Sequence, residues 1–261
     1  MRTLRILSLG AGVQSTTLAL MHHEGTIEPF DHIIFADTGW EPQAVYDHLE
    51  VLEGMMEIVT VSAGDVRDFA STNRVRGQTR FAKMPLWFRG KNNRMNLLRR
   101  QCTREYKIDP IERYIKREIM GLAPRKWWPK DVLLEVNLGI STDELGRVAQ
   151  DSRKKWKVNC FPLIELRMSR DDCRTYLASR GYDPIRSACV GCPFRSNEEW
   201  ISVRESDDEW DDAVAFDLSI RHILPDAESY LHRSGLPLSE ADLDGVNNSS
   251  LLHECSGVCA N

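Results

Sequence analysis

The feature that most constrains the fold is a strand, a turn of small residues and a helix start near the N-terminus. An apolar run at residues 4–9 predicts a buried strand, and residues 15–24 predict a helix. Gly10, Ala11 and Gly12 lie between them. Backbone N–H groups at a helix N-terminus attract anions, and glycine lets a phosphate approach closely. The segment therefore predicts a nucleotide-binding turn; a tight turn without a ligand is the alternative.

Strands and helices alternate through the first two thirds of the chain. Further strands are predicted at 32–36, 57–62 and 131–140, and further helices at 43–54 and 108–120. This order predicts an α/β fold with a Rossmann-like parallel sheet covered by helices on both faces. We expect a nucleotide-binding domain at 1–165, with a basic insertion at 74–107. A smaller, mainly helical region at 166–261 would bear cysteines and an acidic tail.

Polar side chains follow the predicted strands. Asp37, Thr38 and Gly39 come after the second strand, and Ser141 to Glu144 come after the fourth. In open parallel sheets, ligands bind at the C-terminal ends of the strands. These segments are therefore expected to converge with the turn at Gly10 in one crevice. An ordinary helix cap is the alternative at both places.

Charge is distributed unevenly along a chain of 261 residues with a net charge of −5. Residues 74–107 contain eleven Lys or Arg and one acid, Glu105, with Phe81, Trp87 and Phe88 among them, whereas residues 198–261 contain fifteen acids and three Arg. A basic segment with interspersed aromatic residues suits a polyanion such as a nucleic acid. The alternative is a solvated surface loop. The candidate substrate-binding residues are Arg99, Arg100, Arg104 and Lys107.

Cysteine spacing indicates a thiol site. The chain has seven cysteines, and Cys189 and Cys192 form a C-x-x-C turn with Gly191 inside it and Pro193 after it. Thiols at this spacing can share a metal centre. A redox dithiol and buried, inert cysteines are the alternatives. An odd number of cysteines, no predicted secretory signal and no long apolar run favour a cytoplasmic protein without a membrane span.

The turn resembles the pyrophosphate loop of the PP-loop ATP pyrophosphatases, whose usual form is Ser-Gly-Gly-x-Asp-Ser. Here Ala11 replaces a glycine and Gln14 replaces the aspartate. Asp37-Thr38-Gly39 resembles a segment of the phosphoadenylyl sulfate (PAPS) reductase branch of that family. The resemblance implies nucleotide contacts from Ser8, Gly10, Ala11, Gly12, Gln14, Ser15, Thr16, Asp37, Thr38 and Gly39.

Three later segments follow in the order of the same family. Residues 101–110 are similar to the Cys-Cys-x-x-Arg-Lys-x-x-Pro segment of adenylyl sulfate reductases, with Cys102 in the first cysteine position and Thr103 in the second. Residues 139–147 are similar to a Gly-Ile-x-x-Asp-Glu-x-x-Arg segment. The tail around Cys255 faintly resembles a Glu-Cys-Gly tail. The resemblance implies catalytic roles for Ser15, Asp37, Asp143 and Arg147. It also implies Cys102, Cys189 and Cys192 as metal ligands, with Cys255 or Cys160 as a fourth.

The resemblance implies an enzyme that uses ATP and Mg²⁺ to adenylate an acceptor oxygen, releases pyrophosphate and then introduces sulfur. The acceptor would be tRNA or DNA, and the donor a cysteine desulfurase or free sulfide. The thiols would hold a [4Fe-4S] cluster, or alternatively Zn²⁺. A sulfonucleotide reductase and a non-catalytic, zinc-containing binding module are the competing hypotheses.

Overall fold

The centre of the molecule is a five-stranded parallel sheet. The computed structural model describes residues 1–68, 84–90, 93–148, 154–183, 186–224 and 226–244. In chain order the strands are β1 (Arg2–Leu9), β2 (His32–Asp37), β3 (Ile58–Ser62), β4 (Trp87–Arg89), β5 (Met95–Leu97), β6 (Val132–Leu138), β7 (Lys157–Cys160) and β8 (Ser229–Tyr230). The central sheet has the order β3-β2-β1-β6-β7, and β5-β4-β8 form a small antiparallel sheet. The α/β prediction is confirmed.

Helices connect these strands and cover the sheet. They are α1 (Val13–His23), α2 (Gln43–Glu53), α3 (residues 103–119), α4 (Pro162–Glu165), α5 (Arg170–Ala178), α6 (Asn197–Arg204) and α7 (Asp207–Ser219). Helix α3 consists of a π-helical turn at Thr103–Ile108, an α-helical part at Asp109–Tyr114 and a second π-helical turn at Ile115–Ile119. Two 3₁₀ turns lie at Thr142–Arg147 and Leu238–Glu240. No helix in the described ranges is long and apolar enough to cross a membrane.

Alternate residues of β1 pack into cores on opposite faces of the sheet. Leu7 and Leu9 belong to the core formed with α1 and α2. Leu4 and Ile6 belong to the core on the other face, with α3. A strand buried on both faces is rich in apolar residues at successive positions, and Leu4, Ile6, Leu7 and Leu9 show this in β1. Cys173 and the rest of the apolar face of α5 also pack into the α1 core.

The strand order reverses direction between β1 and β6. The chain moves outward from β1 through β2 to β3 and then returns to β6 on the other side of β1. The loops that leave β1 and β6 diverge at such a point and leave a crevice at the C-terminal ends of the strands. The glycine turn follows β1, and the 3₁₀ turn Thr142–Arg147 follows β6. The strand order therefore places both segments at the same crevice, as the sequence predicts.

The strands β4, β5 and β8 of the small sheet were not predicted, and two elements of the central part of the fold also differ from the sequence prediction. Strand β7 was not predicted, because its four residues are all half-buried at the sheet edge and form no apolar run. Helix α3 begins at Thr103 rather than near Pro110. Proline lacks the N–H that an α-helical turn requires and is typical of a helix start. Here a wide π-helical turn directly precedes Pro110, so the helix continues through it.

Candidate functional site

The shape of the turn after β1 is set by its own backbone and by Ser15. Ala11 has a φ of +54°, a left-handed conformation that costs an alanine about 1–2 kcal/mol. The Ser15 hydroxyl accepts a hydrogen bond from the Gly10 N–H at 3.1 Å. Helix α1 begins after Gly12 with no side chain capping its N-terminus. Strained backbone is typical of ligand-binding loops, and an uncapped helix start leaves donors for an anion.

Gln14 joins this turn to the segment after β6. Its Nε2 donates to Glu144 Oε2 at 2.9 Å and to Ser141 Oγ at 3.2 Å, and all three side chains are buried. Arg147 donates to the other carboxylate oxygen of Glu144 at 2.8 Å. The Gln14 Oε1 atom is buried and has no hydrogen-bond partner among the residues that the structure describes. Gln14 therefore fixes the relative position of two of the predicted motifs.

Gly139 lies directly against the glycine turn. A Cβ atom added at this position would lie 2.7 Å from the backbone nitrogen of Ser15. Only glycine allows the end of β6 to approach the first turn of α1 this closely. The crevice is therefore narrow at its base, with backbone on both sides.

Asp143 faces away from the glycine turn. Its Oδ1 accepts a hydrogen bond from the backbone N–H of Arg170 at the start of α5. Burial raises the pKa of the Asp143 carboxyl, but hydrogen bonds from Ser141 and from backbone N–H groups outweigh it and hold the pKa below its usual value. Glu144, rather than Asp143, contacts the turn.

Asp37 lies at the C-terminal end of β2 beside this crevice. Its Oδ1 accepts hydrogen bonds from the Gly39 N–H at 2.8 Å and the Tyr46 hydroxyl at 2.9 Å. Its Oδ2 accepts no hydrogen bond from the described residues, so one oxygen is available to a cation or a ribose hydroxyl. Gly39 has a φ of +72° and lies against Asp65, which a side chain at this position would displace.

A buried polar chain connects this loop to a cysteine. Glu41 Oε1 accepts hydrogen bonds from the Thr38 hydroxyl at 3.1 Å and from Lys107 Nζ at 3.2 Å. The Thr38 Oγ1 atom lies 3.2 Å from Cys189 Sγ. The Glu41 side chain is completely buried, and within the described ranges its Oε2 has no hydrogen-bond partner. The segments carrying Thr38, Lys107 and Cys189 therefore meet in one place.

The C-x-x-C turn is packed onto the loop after β2. The Val190 N–H donates to the Trp40 carbonyl at 2.8 Å, and the Cys192 N–H donates to the Cys189 carbonyl. A Cβ atom at Gly191 would lie 2.0 Å from the Trp40 ring, so this position requires glycine. The acidic helix α7 secures the same loop, because Asp212 accepts a hydrogen bond from the Trp40 ring nitrogen and pairs with Arg67.

Arg195 places a buried cation inside the C-x-x-C turn. Its guanidinium donates to the carbonyl oxygens of Ala188, Cys189 and Val190. Burial lowers the pKa of Arg195, and negative charge on Cys192 and Cys189 acts in the opposite direction. The guanidinium also lies over the Trp200 ring. Arg195 therefore ties the backbone of the C-x-x-C turn together from inside the fold.

The predicted metal ligands come only partly together. Cys102 precedes α3 and packs against the same apolar cluster that contains Cys189. Among the residues that the structure describes, no group of three or more His, Cys, Asp or Glu side chains is placed to hold one metal ion. Burial raises the pKa of the Cys160 thiol to about 11, and Glu135 and Glu165 add to it. The described side chains thus do not complete a metal site, and Cys255 lies outside them.

The four residues predicted to contact a polyanion lie in different environments, some exposed and one buried. Arg99 and Arg104 are exposed, and Arg104 lies 3.6 Å from Asp109. The Arg100 guanidinium lies over the Phe194 ring. Lys107 is buried in its ion pair with Glu41 and is no surface contact. Residues 74–83 and 91–92 of the basic segment, including Phe81, lie outside the described residues.

Among the remaining candidates, Thr16 is turned away from the crevice. Its hydroxyl lies 3.1 Å from His48 Nε2 on α2. Ser8 is half-buried on β1, next to the turn. Sequence reasoning considered Glu144 only as an alternative to Asp143 for holding Mg²⁺, and it assigned no buried role to Glu41, Glu144 or Arg195. Their charge is visible in the sequence, but their burial is not, and buried charge is the signal that distinguishes them.

No protein-family model, curated protein or solved structure matches the chain.

Proposed function

We propose that this chain binds ATP in the crevice between β1 and β6 and uses it to activate an acceptor for sulfur transfer. An acceptor oxygen attacks the α-phosphorus of ATP, and pyrophosphate leaves with the electrons of the broken bond. A hydrosulfide ion then forms a bond to the activated carbon, the carbon–oxygen bond to the adenylate breaks, and AMP leaves with its electrons. The acceptor is proposed to be tRNA or DNA.

The observation that carries this proposal is the bridge from Gln14 to Glu144. It fixes the glycine turn and the segment after β6 on both sides of the reversal in strand order, where α/β folds bind nucleotides. The uncapped N-terminus of α1 supplies backbone donors for the pyrophosphate group. Such preorganised donors stabilise charge on a leaving group without reorganising during the reaction.

The carboxylate oxygen Asp37 Oδ2 is the group best suited to the Mg²⁺ that accompanies ATP, because Mg²⁺ prefers oxygen ligands. Both oxygens of Glu144 are already used by Gln14 and Arg147. When bound, Mg²⁺ would neutralise charge on the phosphates. The hydrogen bonds that Tyr46 and Gly39 donate to its Oδ1 keep Asp37 oriented for this role.

Cys189 and Cys192 are proposed to bind the sulfur species that is transferred. Cys189 contacts Thr38, which follows the strand next to β1, so a thiol lies on the same edge of the sheet as the glycine turn. The Arg195 guanidinium lies in the same turn and donates to the carbonyl oxygens of Ala188, Cys189 and Val190. A thiolate is the nucleophilic and metal-binding form of cysteine.

The test measures pyrophosphate release from ATP by the anaerobically purified protein, with sulfide and bulk tRNA or single-stranded DNA as acceptors. We expect Ser15→Ala to slow pyrophosphate release at least tenfold, and Cys189→Ser to leave it intact while abolishing sulfur incorporation. Thr175→Ala, a hydroxyl deletion on exposed α5, is the matched control. Release of sulfite from adenylyl sulfate, with no ATP turnover, would instead indicate a sulfonucleotide reductase.

Metal analysis of the same sample identifies what the thiols hold. About four irons and matching sulfide per chain would indicate a [4Fe-4S] cluster to which Cys102 contributes. One zinc per chain without ATP turnover would indicate the non-catalytic binding module. Retention of all iron in Cys102→Ala would exclude that residue as a ligand.

A further inference from the structure

A second pocket lies at the opposite edge of the sheet from the glycine turn. It is an open cavity of about 700 Å³, lined by the C-terminal half of α3, by residues 122–128 and by Lys154 and Trp156. Residues 122–128 lead into β6, and Trp156 directly precedes β7. Both strands are parallel to β1 and begin at this pocket, so it lies at the N-terminal edge of the sheet.

The pocket carries an unneutralised positive charge. Its lining contains six Lys or Arg side chains and two acids, Asp109 and Glu112. Glu112 is already paired with Lys154 and Lys157, and Asp109 lies 3.6 Å from Arg104. Within the described part of the chain, five of the six cations form no ion pair: Arg113, Lys116, Arg117, Arg125 and Lys126. This concentration of charge favours a polyanionic ligand.

Tryptophan rings form the other part of the lining. Trp128 and Trp156 stack with their ring centroids 4.6 Å apart, and the Trp128 ring nitrogen donates to the Val132 carbonyl. Lys116 lies over the Trp156 ring. Trp127, in contrast, is 92% exposed beside this rigid pair. An exposed tryptophan among unpaired cations is an arrangement that binds bases by stacking and phosphates by charge.

The backbone of the pocket is shaped to present these side chains. Arg125 has a φ of +65°, an uncommon conformation for a residue with a side chain, in a turn closed by a hydrogen bond from Lys126 N–H to the Ala123 carbonyl. This turn holds Arg125, Lys126 and Trp127 at the rim, where all three are exposed. Strained backbone that displays charged and aromatic groups points to a binding function.

We propose that this pocket binds an unpaired stretch of nucleic acid, with a base stacked on Trp127 and phosphates contacted by the unpaired cations. The site is separate from the proposed ATP site and binds without ATP. Strand β6 separates the two edges by about 20 Å, which corresponds to roughly six stacked nucleotides. A strand bound here would therefore need at least this length to reach the crevice, and the pocket would select acceptors with a long unpaired segment.

The test measures fluorescence anisotropy of a labelled 12-nucleotide strand of mixed sequence, as RNA and as DNA, with the full chain and no ATP. Trp127→Ala should weaken binding about tenfold, since stacking of one base contributes 1–3 kcal/mol. Leu218→Ala, which removes another exposed apolar side chain, is the matched control. Arg125→Gly removes a cation while keeping the left-handed turn, and should lower the salt slope by about 0.7. Arg174→Ala, at an exposed and paired arginine, should leave the slope unchanged.

A loss of oligonucleotide affinity in Trp127→Ala supports the proposal, whether the wild type binds RNA more tightly than DNA or binds both equally. The comparison of RNA with DNA identifies the acceptor class. Unchanged affinity in Trp127→Ala, a duplex bound as tightly as a single strand, or inorganic polyphosphate bound as tightly as the oligonucleotide would overturn it. Ser15→Ala should bind the oligonucleotide like the wild type. Failure of the proposed ATP chemistry is therefore distinguishable from failure of this site.

Discussion

Gln14 donates a hydrogen bond to Glu144 at 2.9 Å although 130 residues separate them in the chain, and both side chains are buried. The bond connects the loop after β1 to the turn after β6, on either side of the crevice. Arg147 donates a hydrogen bond to the other carboxylate oxygen of Glu144. Because this carboxylate is removed from water, losing a hydrogen-bond donor to it destabilises the folded state.

Gln14→Ala removes one donor from the buried Glu144 carboxylate. We expect the free energy of unfolding to fall by about 1–3 kcal/mol, the cost of leaving a buried polar group unsatisfied. ATP affinity should fall as well, because the turn loses its connection to the segment after β6. Urea denaturation and ATP titration measure the two effects.

Gln43→Ala is the matched control, since Gln43 Nε2 also donates to a carboxylate, Asp47, but on the exposed surface of α2. Its effect should stay within about 0.5 kcal/mol. Equal losses in the two variants would show that the Gln14 bond has no special structural role.

Gly139→Ala tests how closely the two sides of the crevice approach. The new Cβ would lie 2.7 Å from the Ser15 nitrogen, so the backbone of the turn must move. We expect a loss of about 1–3 kcal/mol in stability and at least a tenfold rise in the KM for ATP. Gly146→Ala, which places its Cβ in open space, should change neither quantity. A normal KM in Gly139→Ala would show that the nucleotide binds elsewhere.

The sequence was sufficient to predict the central sheet but not its edge. Strand β1 has buried apolar residues on both faces, whereas β7 alternates polar and apolar residues in four half-buried positions. The reversal between β1 and β6 follows from pairing partners far apart in the chain. No local pattern encodes that pairing, although β1 and β6 are each locally recognisable.

The parts of the site that are formed by backbone turns were predictable from the sequence, whereas the parts formed by buried charged side chains were not. The two glycines of the turn after β1 and the single glycine of the C-x-x-C turn are visible in the sequence. Lys107, in contrast, looked like one more cation of a basic surface, because its partner Glu41 lies 66 residues away. The tryptophan pocket was missed for the same reason: its cations are dispersed between residues 113 and 154.

Lys107→Met tests the reassignment of Lys107 from surface contact to buried partner. Removing the cation leaves the buried carboxylate of Glu41 without its ion pair, so we expect a loss of about 3–5 kcal/mol in stability. Adding Glu41→Gln should recover part of this loss, because the second substitution removes the unpaired charge. Arg104→Ala, at a 63% exposed side chain, should cost less than about 0.5 kcal/mol. Urea denaturation of a Lys107→Met chain with wild-type stability would contradict the buried pair.

His232 should make the folded state sensitive to acid. Its ring is buried between Ser234 and Asn197, and burial, reinforced by the charge of Arg233, lowers its pKa to about 4. An unfolded histidine titrates near 6.5, so between pH 6.5 and 4 the unfolded chain binds a proton that the folded chain does not. Stability should therefore be complete above pH 6.5 and fall by about 2 kcal/mol toward pH 4, after allowance for solvent screening.

The measurement compares urea denaturation of the wild type and His232→Gln at pH 7.5 and pH 4.5. Glutamine stays neutral at both values, so the variant should lose less stability on acidification than the wild type. Part of the acid sensitivity should remain, because burial also lowers the pKa of His48. His222→Gln, at an exposed histidine, should follow the wild type. If the His232→Gln and wild-type stabilities fell equally between the two pH values, His232 would have to be protonated in the folded chain, which its burial opposes.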